Sequence, residues 1–177
     1  MRVKKNTIKV WDEVWSDVGL DTEDISILEV ERATIRWSRI KTRLSKEFGN
    51  LKNLKVIEIG SGIGTYAALL ASEGAKSTLL DYSPKALKRA KEFFKNNKLK
   101  AEYVLGDALD FPQQIKKNGI AIIIVPNKYN PPYRIYKFIS EFFGTWKFGE
   151  EYPYSRKELK DICINSNHEL ISIFASC

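Results

Sequence analysis

Hydrophobic residues near the start of the chain repeat at a helical spacing. Trp11, Val14, Trp15 and Val18 stand at positions i, i+3, i+4 and i+7, so they share one face of a short amphipathic helix. Gly19 follows directly and is expected to end this helix.

A second, longer helix is predicted between the cap candidates Asp21 and Thr22 and the stop signal Gly49, with Phe48 as its last residue. Its apolar stripe comprises Val30, Ala33, Trp37, Ile40, Leu44 and Phe48. The two helices predict an N-terminal helical extension of residues 1–50.

Beyond residue 50 the pattern changes to short β-branched runs that alternate with helical segments. The predicted strands are Lys55–Ile59, Ser77–Leu80, Glu102–Leu105, Gly119–Val125 and Glu169–Ala175. The predicted helices are Thr65–Ser72, Pro84–Asn96 behind the cap Ser83, and a helix to Ser166 that opens with the capping box Ser155-x-x-Glu158. This alternation predicts one α/β domain over residues 51–177, a three-layer sandwich around a mostly parallel, Rossmann-like sheet.

The turn after the first predicted strand is rich in glycine. Glycines at such a strand end allow a sharp turn into a helix and let the backbone approach a ligand closely. An acidic residue precedes the first glycine by two positions. The candidate binding residues of this segment are Glu58, Gly60, Ser61, Gly62, Gly64 and Thr65.

Two further strand ends carry acidic residues. Asp81 follows the second strand about 20 residues after the glycines, where a carboxylate can accept hydrogen bonds from both ribose hydroxyls of a nucleotide, in NAD enzymes as well. The candidates at these two strand ends are Asp81, Tyr82, Ser83, Gly106, Asp107 and Ala108. The residues alone leave open a nucleoside cofactor of either kind, or an α/β fold that binds neither.

These three segments resemble the class I S-adenosylmethionine-dependent methyltransferases. The resemblance implies that the glycine turn packs against the methionine part of S-adenosylmethionine, with Glu58 holding the turn and the cofactor's amino group. It also implies that Asp81 binds the ribose, Tyr82 packs on adenine and Asp107 accepts a hydrogen bond from the adenine amino group. The resemblance further implies that the N-terminal helices form the family's usual lid over the cofactor.

Later segments are similar to the ubiquinone-biosynthesis-like group of that family. They are the basic turn at Lys116–Gly119, the strand closing in Val125-Pro126-Asn127, and Glu151–Ser155 before the capped helix. The resemblance implies a methyltransferase that acts on a small molecule. No catalytic base is identified.

The chain departs from this family between Asp107 and Ile120, where only Ala108 to Gly119 stand. A strand–helix–strand unit takes roughly 30 residues or more, so a central strand and helix are expected to be lacking. Residues may be absent from the sequence, or Gly119–Val125 may take the vacant central place in a natural short form. In the third alternative, the strand matched to the later motif is itself the missing one.

The third alternative draws on Asn130-Pro131-Pro132-Tyr133, which resembles the catalytic motif of amino-methyltransferases acting on nucleic acid or protein.

A non-catalytic module that binds the cofactor or a partner is a further alternative, favoured by the missing strand. The aromatic stretch from Tyr129 to Trp146 is interpreted as a cap over a hydrophobic substrate.

Composition narrows the function classes only slightly. The net charge is +7, and the basic residues are densest from Lys85 to Lys100. This run follows a helical pattern and is expected to form a solvated helix face, so nucleic acid is not favoured as a partner. A single histidine excludes multi-histidine metal sites, and no metal is expected. No apolar run is long enough for a membrane span, and Met1–Thr7 does not resemble a secretion signal. With two cysteines, a cytoplasmic location is expected.

Overall fold

The computed structural model describes residues 8–17, 26–107, 120, 122–146, 152–165 and 173. Its elements are α1 (Ile8–Asp17), α2 (Ser26–Arg32), α3 (Ile35–Phe48), β1 (Lys55–Ile59), α4 (Thr65–Ser72), β2 (Lys76–Asp81), α5 (Pro84–Asn96), β3 (Ala101–Leu105), α6 (Pro131–Phe142) and α7 (Arg156–Asn165). The chain divides into two compact units, one of Trp11–Lys116 and one of Met1–Val10 with Lys117–Cys177. The predicted division into residues 1–50 and 51–177 stays a prediction.

The unit of Trp11–Lys116 is built on a parallel sheet of the order β1-β2-β3. Helix α4 connects the first two strands and α5 the last two. Ile59 pairs with Leu80, and Asp81 pairs with Leu105, so the carboxyl ends of all three strands meet at one edge of the sheet. This architecture confirms the predicted α/β fold with a parallel sheet.

The hydrophobic core of this unit lies between the sheet and its helices. Leu79 of β2 and Phe93 of α5 are completely buried there, and α3 adds Trp37 and Ile40 to the same cluster. On the opposite face of β1, the alternate position Ile59 is 46% exposed. The core therefore covers one face of the strand that carries the glycine turn.

Local capping signals in the sequence are confirmed. Ser83 caps α5 by accepting a hydrogen bond from the amide of Ala86 at 3.2 Å, with Pro84 in the first turn. At the start of α7, the amide of Glu158 donates to the hydroxyl of Ser155 at 3.2 Å, and the Ser155 amide donates back to the Glu158 carboxylate at 2.7 Å. This is the reciprocal capping box that the sequence predicts.

The long second helix predicted up to Phe48 is wrong as one element, because the chain turns between α2 and α3. Thr34 has an extended backbone and its hydroxyl accepts a hydrogen bond from the amide of Trp37 at 3.1 Å, so it caps a new helix. Val30, which was expected on the apolar stripe of this helix, is 67% exposed. The predicted start near Asp21 lies outside the described residues.

The strand predicted at Gly119–Val125 is wrong for its described part. Residues 120 and 122–125 form no strand, and the three isoleucines Ile122, Ile123 and Ile124 are exposed. An apolar run indicates burial but provides no neighbouring strand, and a parallel strand needs one for its hydrogen bonds. The strand predicted at Glu169–Ala175 lies almost entirely outside the described residues.

Glu58 fastens β1 to the start of α4. Its carboxylate accepts a hydrogen bond from the amide of Ala67 at 2.7 Å. Burial raises the pKa of this carboxyl from 4.5 to about 7, against the opposing effect of hydrogen bonds from the amides of Ala67 and Tyr66. The contact stabilises the first turn of α4, at the cost of holding an acid in a poorly solvated place.

Truncation of Phe93 tests where the core lies. We expect Phe93→Ala to lower the free energy of unfolding by about 3–5 kcal/mol, because it leaves a cavity at a completely buried position. The matched control Phe142→Ala removes a ring that is 72% exposed and should change it by less than about 0.5 kcal/mol. Urea denaturation followed by circular dichroism measures both, and equal losses would contradict this placement of the core.

The raised pKa of Glu58 predicts a pH-dependent contribution to stability. The folded chain holds the proton more tightly than the unfolded chain, so the contribution is fully present below about pH 4.5 and is lost as the pH rises through about 7. Relative to Glu58→Gln, we expect the wild-type chain to lose on the order of 2 kcal/mol between pH 5 and pH 8. Urea midpoints of the two chains at each pH measure this, and a constant difference between them would refute it.

Candidate functional site

The glycine turn after β1 has a backbone that only glycine adopts readily. Gly60, Gly62 and Gly64 have φ angles of 63°, 55° and 77°. A Cβ added to Gly64 would clash with Leu79, so the end of the turn packs on the core. A Cβ on Gly60 would meet nothing within 4 Å. The last glycine of the turn therefore packs on the hydrophobic core, and the first glycine faces open space.

The carboxylate of Asp81 joins this turn to the start of α5. One oxygen accepts a hydrogen bond from the amide of Gly62 at 2.8 Å, and the other accepts one from the amide of Ser83 at 2.9 Å. Asp81 is 5% exposed, so both bonds are shielded from water. Each carboxylate oxygen keeps a further lone pair for another donor.

Backbone hydrogen bonds hold the three strand ends in line. The amide of Ser61 donates to the carbonyl of Leu80 at 3.1 Å, and the amide of Gly106 donates to the carbonyl of Asp81 at 3.0 Å. The hydroxyl of Ser61 is buried and has no hydrogen-bond partner. An unpaired buried hydroxyl is costly, which marks this position as one where a bound polar group would find a partner.

Tyr82 lies among three carboxylates. Its pKa is raised first by burial and then by the negative charges of Asp81, Asp107 and Asp12. The structure thus places Asp81, Tyr82 and Asp107 side by side at the edge where the glycine turn lies. Asp107 is exposed at the end of β3. Of the candidate residues, only Ala108 lies outside the described part of the chain.

Helix α1 contributes contacts to this edge that the sequence does not reveal. The hydroxyl of Ser83 donates to the carboxylate of Asp12, and Lys85 donates to the hydroxyl of Ser16 at 2.7 Å. The ring of Trp15 would lie 2.5 Å from a Cβ on Gly62, so it covers that glycine. The sequence indicates this helix only through the helical spacing of its apolar residues. Asp12 and Ser16 are not among those residues, so the sequence gives no sign of their contacts.

Two classes of site receive no support from the described residues. No group of three or more His, Cys, Asp or Glu side chains in the described ranges is placed to hold a metal ion. No helix within the same ranges has the length and apolar character to cross a membrane.

In the unit of Met1–Val10 with Lys117–Cys177, the Asn130–Tyr133 motif forms the N-terminal cap of α6. The side-chain oxygen of Asn130 accepts a hydrogen bond from the amide of Tyr133 at 3.0 Å, and Pro131 begins α6. The aromatic side chains of α6 are largely exposed, with Phe138 at 69%. The described residues thus give the motif a structural role. The separate interpretation of the aromatic stretch from Tyr129 to Trp146 as a cover over a hydrophobic substrate stays a prediction.

Comparison with known sequences points to one family. The profile of the methyltransferase-domain family matches residues 56–147, more than half of the chain. The chain is also similar to the ubiquinone biosynthesis O-methyltransferase of Rickettsia typhi, with 25% identity over 77% of this chain and 68% of the relative. The corresponding protein of Rickettsia canadensis is 24% identical over 69% of this chain and 64% of the relative. The chain spans about two thirds of the length of these curated relatives.

The Rickettsia typhi alignment also shows where the two chains differ in length. It runs over 168 positions but takes only 77% of the 177 residues here, so the relative has residues within the match that this chain lacks. This agrees with a shortened domain; the location of the missing segment between Asp107 and Ile120 stays a prediction.

Comparison with solved structures agrees on the fold. The magnesium protoporphyrin IX methyltransferase of Synechocystis PCC 6803 is 16% identical, covers 89% of this chain and 82% of its own, and has a TM-score of 0.53. The family match, the parallel sheet and the glycine turn with its acidic strand ends lead to the same assignment. The chain belongs to the methyltransferase-domain family and is a class I S-adenosylmethionine-dependent methyltransferase.

Proposed function

We propose that the edge formed by the glycine turn and the ends of β2 and β3 binds S-adenosylmethionine, and that the enzyme methylates a small-molecule acceptor. The observation that carries the proposal is the hydrogen bond from the amide of Gly62 to Asp81, which locks the turn beside the acidic strand end. The names of the Rickettsia relatives support a small-molecule acceptor. A cytoplasmic location belongs to the same proposal and is supported by the low cysteine content.

The residues at this edge fit such a cofactor. The open space at Gly60 allows a ligand to approach the backbone, and the unpaired hydroxyl of Ser61 offers a polar contact. Asp81 retains lone pairs for ribose hydroxyls, the ring of Tyr82 offers a flat face for adenine, and the exposed Asp107 can accept a hydrogen bond from an amino group.

Several candidates act by shaping the site in this proposal. Glu58 holds the start of α4 through the amide of Ala67, and Gly64 brings the turn onto the core. Ser83 caps α5 and binds Asp12, while Thr65 is the first residue of α4 and Gly106 extends the backbone ladder from Asp81. These residues fix the positions of the groups that face the ligand.

The chain's own contribution to the reaction is alignment and exclusion of water. The cofactor supplies an activated methyl group on a sulfonium, which is a good leaving group, so orientation of the acceptor accounts for much of the rate enhancement. Trp15 and Asp12 of α1 lie over the turn and the start of α5, and they would limit the access of water there. No residue is assigned as a general base.

The two alternatives have weaker support. An amino-methyltransferase would need the side chain of Asn130 for its target, whereas its oxygen is engaged in capping α6. A module without activity would agree with the shortened chain, and turnover with acceptors distinguishes it from an enzyme. NAD is disfavoured by the family match.

Replacement of Asp107 tests the proposed adenine contact. We expect Asp107→Ala to weaken binding of S-adenosylhomocysteine by roughly 10- to 100-fold, because a charged hydrogen-bond acceptor is lost. The variant should keep its urea midpoint, because Asp107 is exposed. Isothermal titration calorimetry measures the affinity.

Glu102→Ala is the matched control, because it removes an exposed carboxylate near the start of β3, away from the strand end that Asp107 follows. It should leave the affinity for S-adenosylhomocysteine unchanged. Equal losses in the two variants, or binding of NADH as tight as that of S-adenosylhomocysteine, would contradict the proposed site.

A further inference from the structure

Helix α6 exposes a continuous apolar face. Four of its residues stand at positions i, i+3, i+4 and i+7, so they form one row along the helix. The row, called here the α6 stripe, consists of Ile135, Phe138, Ile139 and Phe142, whose exposed fractions lie between 48% and 72%. Exposed apolar patches of this kind mark interaction sites in proteins, since burial of their surface is favourable.

The side of α6 away from the stripe packs on its own unit. Tyr133 and Tyr136 contact the ring of Trp146 edge to face, and the ammonium of Lys137 lies 4.2 Å from the centre of the same ring. The amide of Trp146 also donates to the carbonyl of the buried Ser140 at 3.1 Å. These contacts hold the helix by one side, so the α6 stripe is a preformed surface.

Two residues of opposite charge flank one edge of the α6 stripe. Arg134 and Glu141 are seven positions apart, which places them two turns apart on the same side of the helix. Arg134 is exposed and has no ion-pair partner within the described ranges. Glu141 binds Lys137 through Oε1 at 3.2 Å, so its Oε2 can accept from a second cation. The edge is therefore positive at one end and negative at the other.

A second copy of α6 matches this charge pattern when the two helices run antiparallel about a twofold axis. Full overlap of the two helices places Ile135 opposite Phe138 of the second copy, and the symmetry repeats this contact. Arg134 then lies within about 3 Å, measured along the axis, of Glu141 of the second copy. A parallel pair would instead bring each charged residue against its own copy.

We propose that the chain forms a twofold symmetric dimer through α6, with the two stripes in contact and Arg134 paired with Glu141 of the second copy. An anionic lipid surface matches this face less well, because Glu141 at the edge of the stripe would be repelled by the headgroups. The dimer does not depend on the cofactor, so it goes beyond the proposed function.

The proposed interface is small, because each copy contributes one helix of 12 residues. It falls short of the roughly 800 Å² per partner that a standard interface buries. We therefore expect a weak dimer with a dissociation constant of roughly 10–100 μM. At concentrations of about 1 μM the chain is then almost entirely monomeric.

Sedimentation equilibrium of the full chain from about 1 to 200 μM tests the dimer, and we expect a monomer–dimer equilibrium with or without S-adenosylhomocysteine. Ile135→Ala should weaken the dimer by at least roughly tenfold, because the symmetry removes the contact twice. Ile164→Ala is the matched control, because Ile164 lies on α7 and is also 60% exposed. It should leave the dissociation constant unchanged.

A charge exchange tests the pairing across the two copies. Arg134→Glu and Glu141→Arg each place like charges together at both ends of the interface, so each variant alone should dimerise at least roughly tenfold more weakly than the wild-type chain. An equimolar mixture should form a heterodimer about as tight as the wild-type dimer, because each copy then carries one sign of charge and its partner the other. This recovery would also show that both variants are folded.

Each remaining outcome would overturn the proposal. A wild-type chain that stays monomeric at about 200 μM would exclude the dimer, and sedimentation of that monomer with phosphatidylglycerol vesicles would assign the α6 stripe to a lipid surface. A dimer that Ile135→Ala does not weaken would place the interface elsewhere. Charge variants that dimerise normally alone, or that do not recover when mixed, would refute the antiparallel pairing.

Discussion

The candidate site depends on one buried carboxylate. Asp81 accepts the amide of Gly62 with one oxygen and the amide of Ser83 with the other, and so connects the glycine turn to the first turn of α5. A buried carboxylate that accepts backbone donors on two segments fixes their separation, and loss of either bond would leave a buried amide unpaired. Asp81 is therefore a structural residue as well as a ligand candidate, and its removal would disturb the turn in the absence of any cofactor.

Much of this edge was predictable because its determinants are local. Three features of this edge can be recognised within a few residues of the sequence. They are glycines that adopt a left-handed backbone, a serine that caps the helix following it, and an acidic residue at a strand end. The contacts that the sequence did not reveal join distant segments. Ser83 meets Asp12 across 71 positions, and Trp15 covers Gly62, yet neither pairing has a pattern in the residues around it.

The two wrong element predictions have the same origin. Apolar residues indicate which side chains are to be buried but carry no information on hydrogen-bond partners. A helical repeat of apolar residues therefore joined α2 to α3 across the cap at Thr34, and a continuous apolar run assigned a strand to residues 119–125. The described N-terminal helices contact the helices that flank the sheet. Lys85 of α5 donates a hydrogen bond to Ser16 of α1, and Tyr66 of α4 donates one to Glu31 of α2.

A crystal structure of the chain grown with S-adenosylhomocysteine tests the central claim most directly. The account predicts that the ribose hydroxyls lie within hydrogen-bond distance of Asp81, that the adenine contacts Tyr82 and Asp107, and that the amino acid part lies over Gly60. A ligand bound at any other place, or a Trp15 ring that excludes it from the turn, would contradict the account.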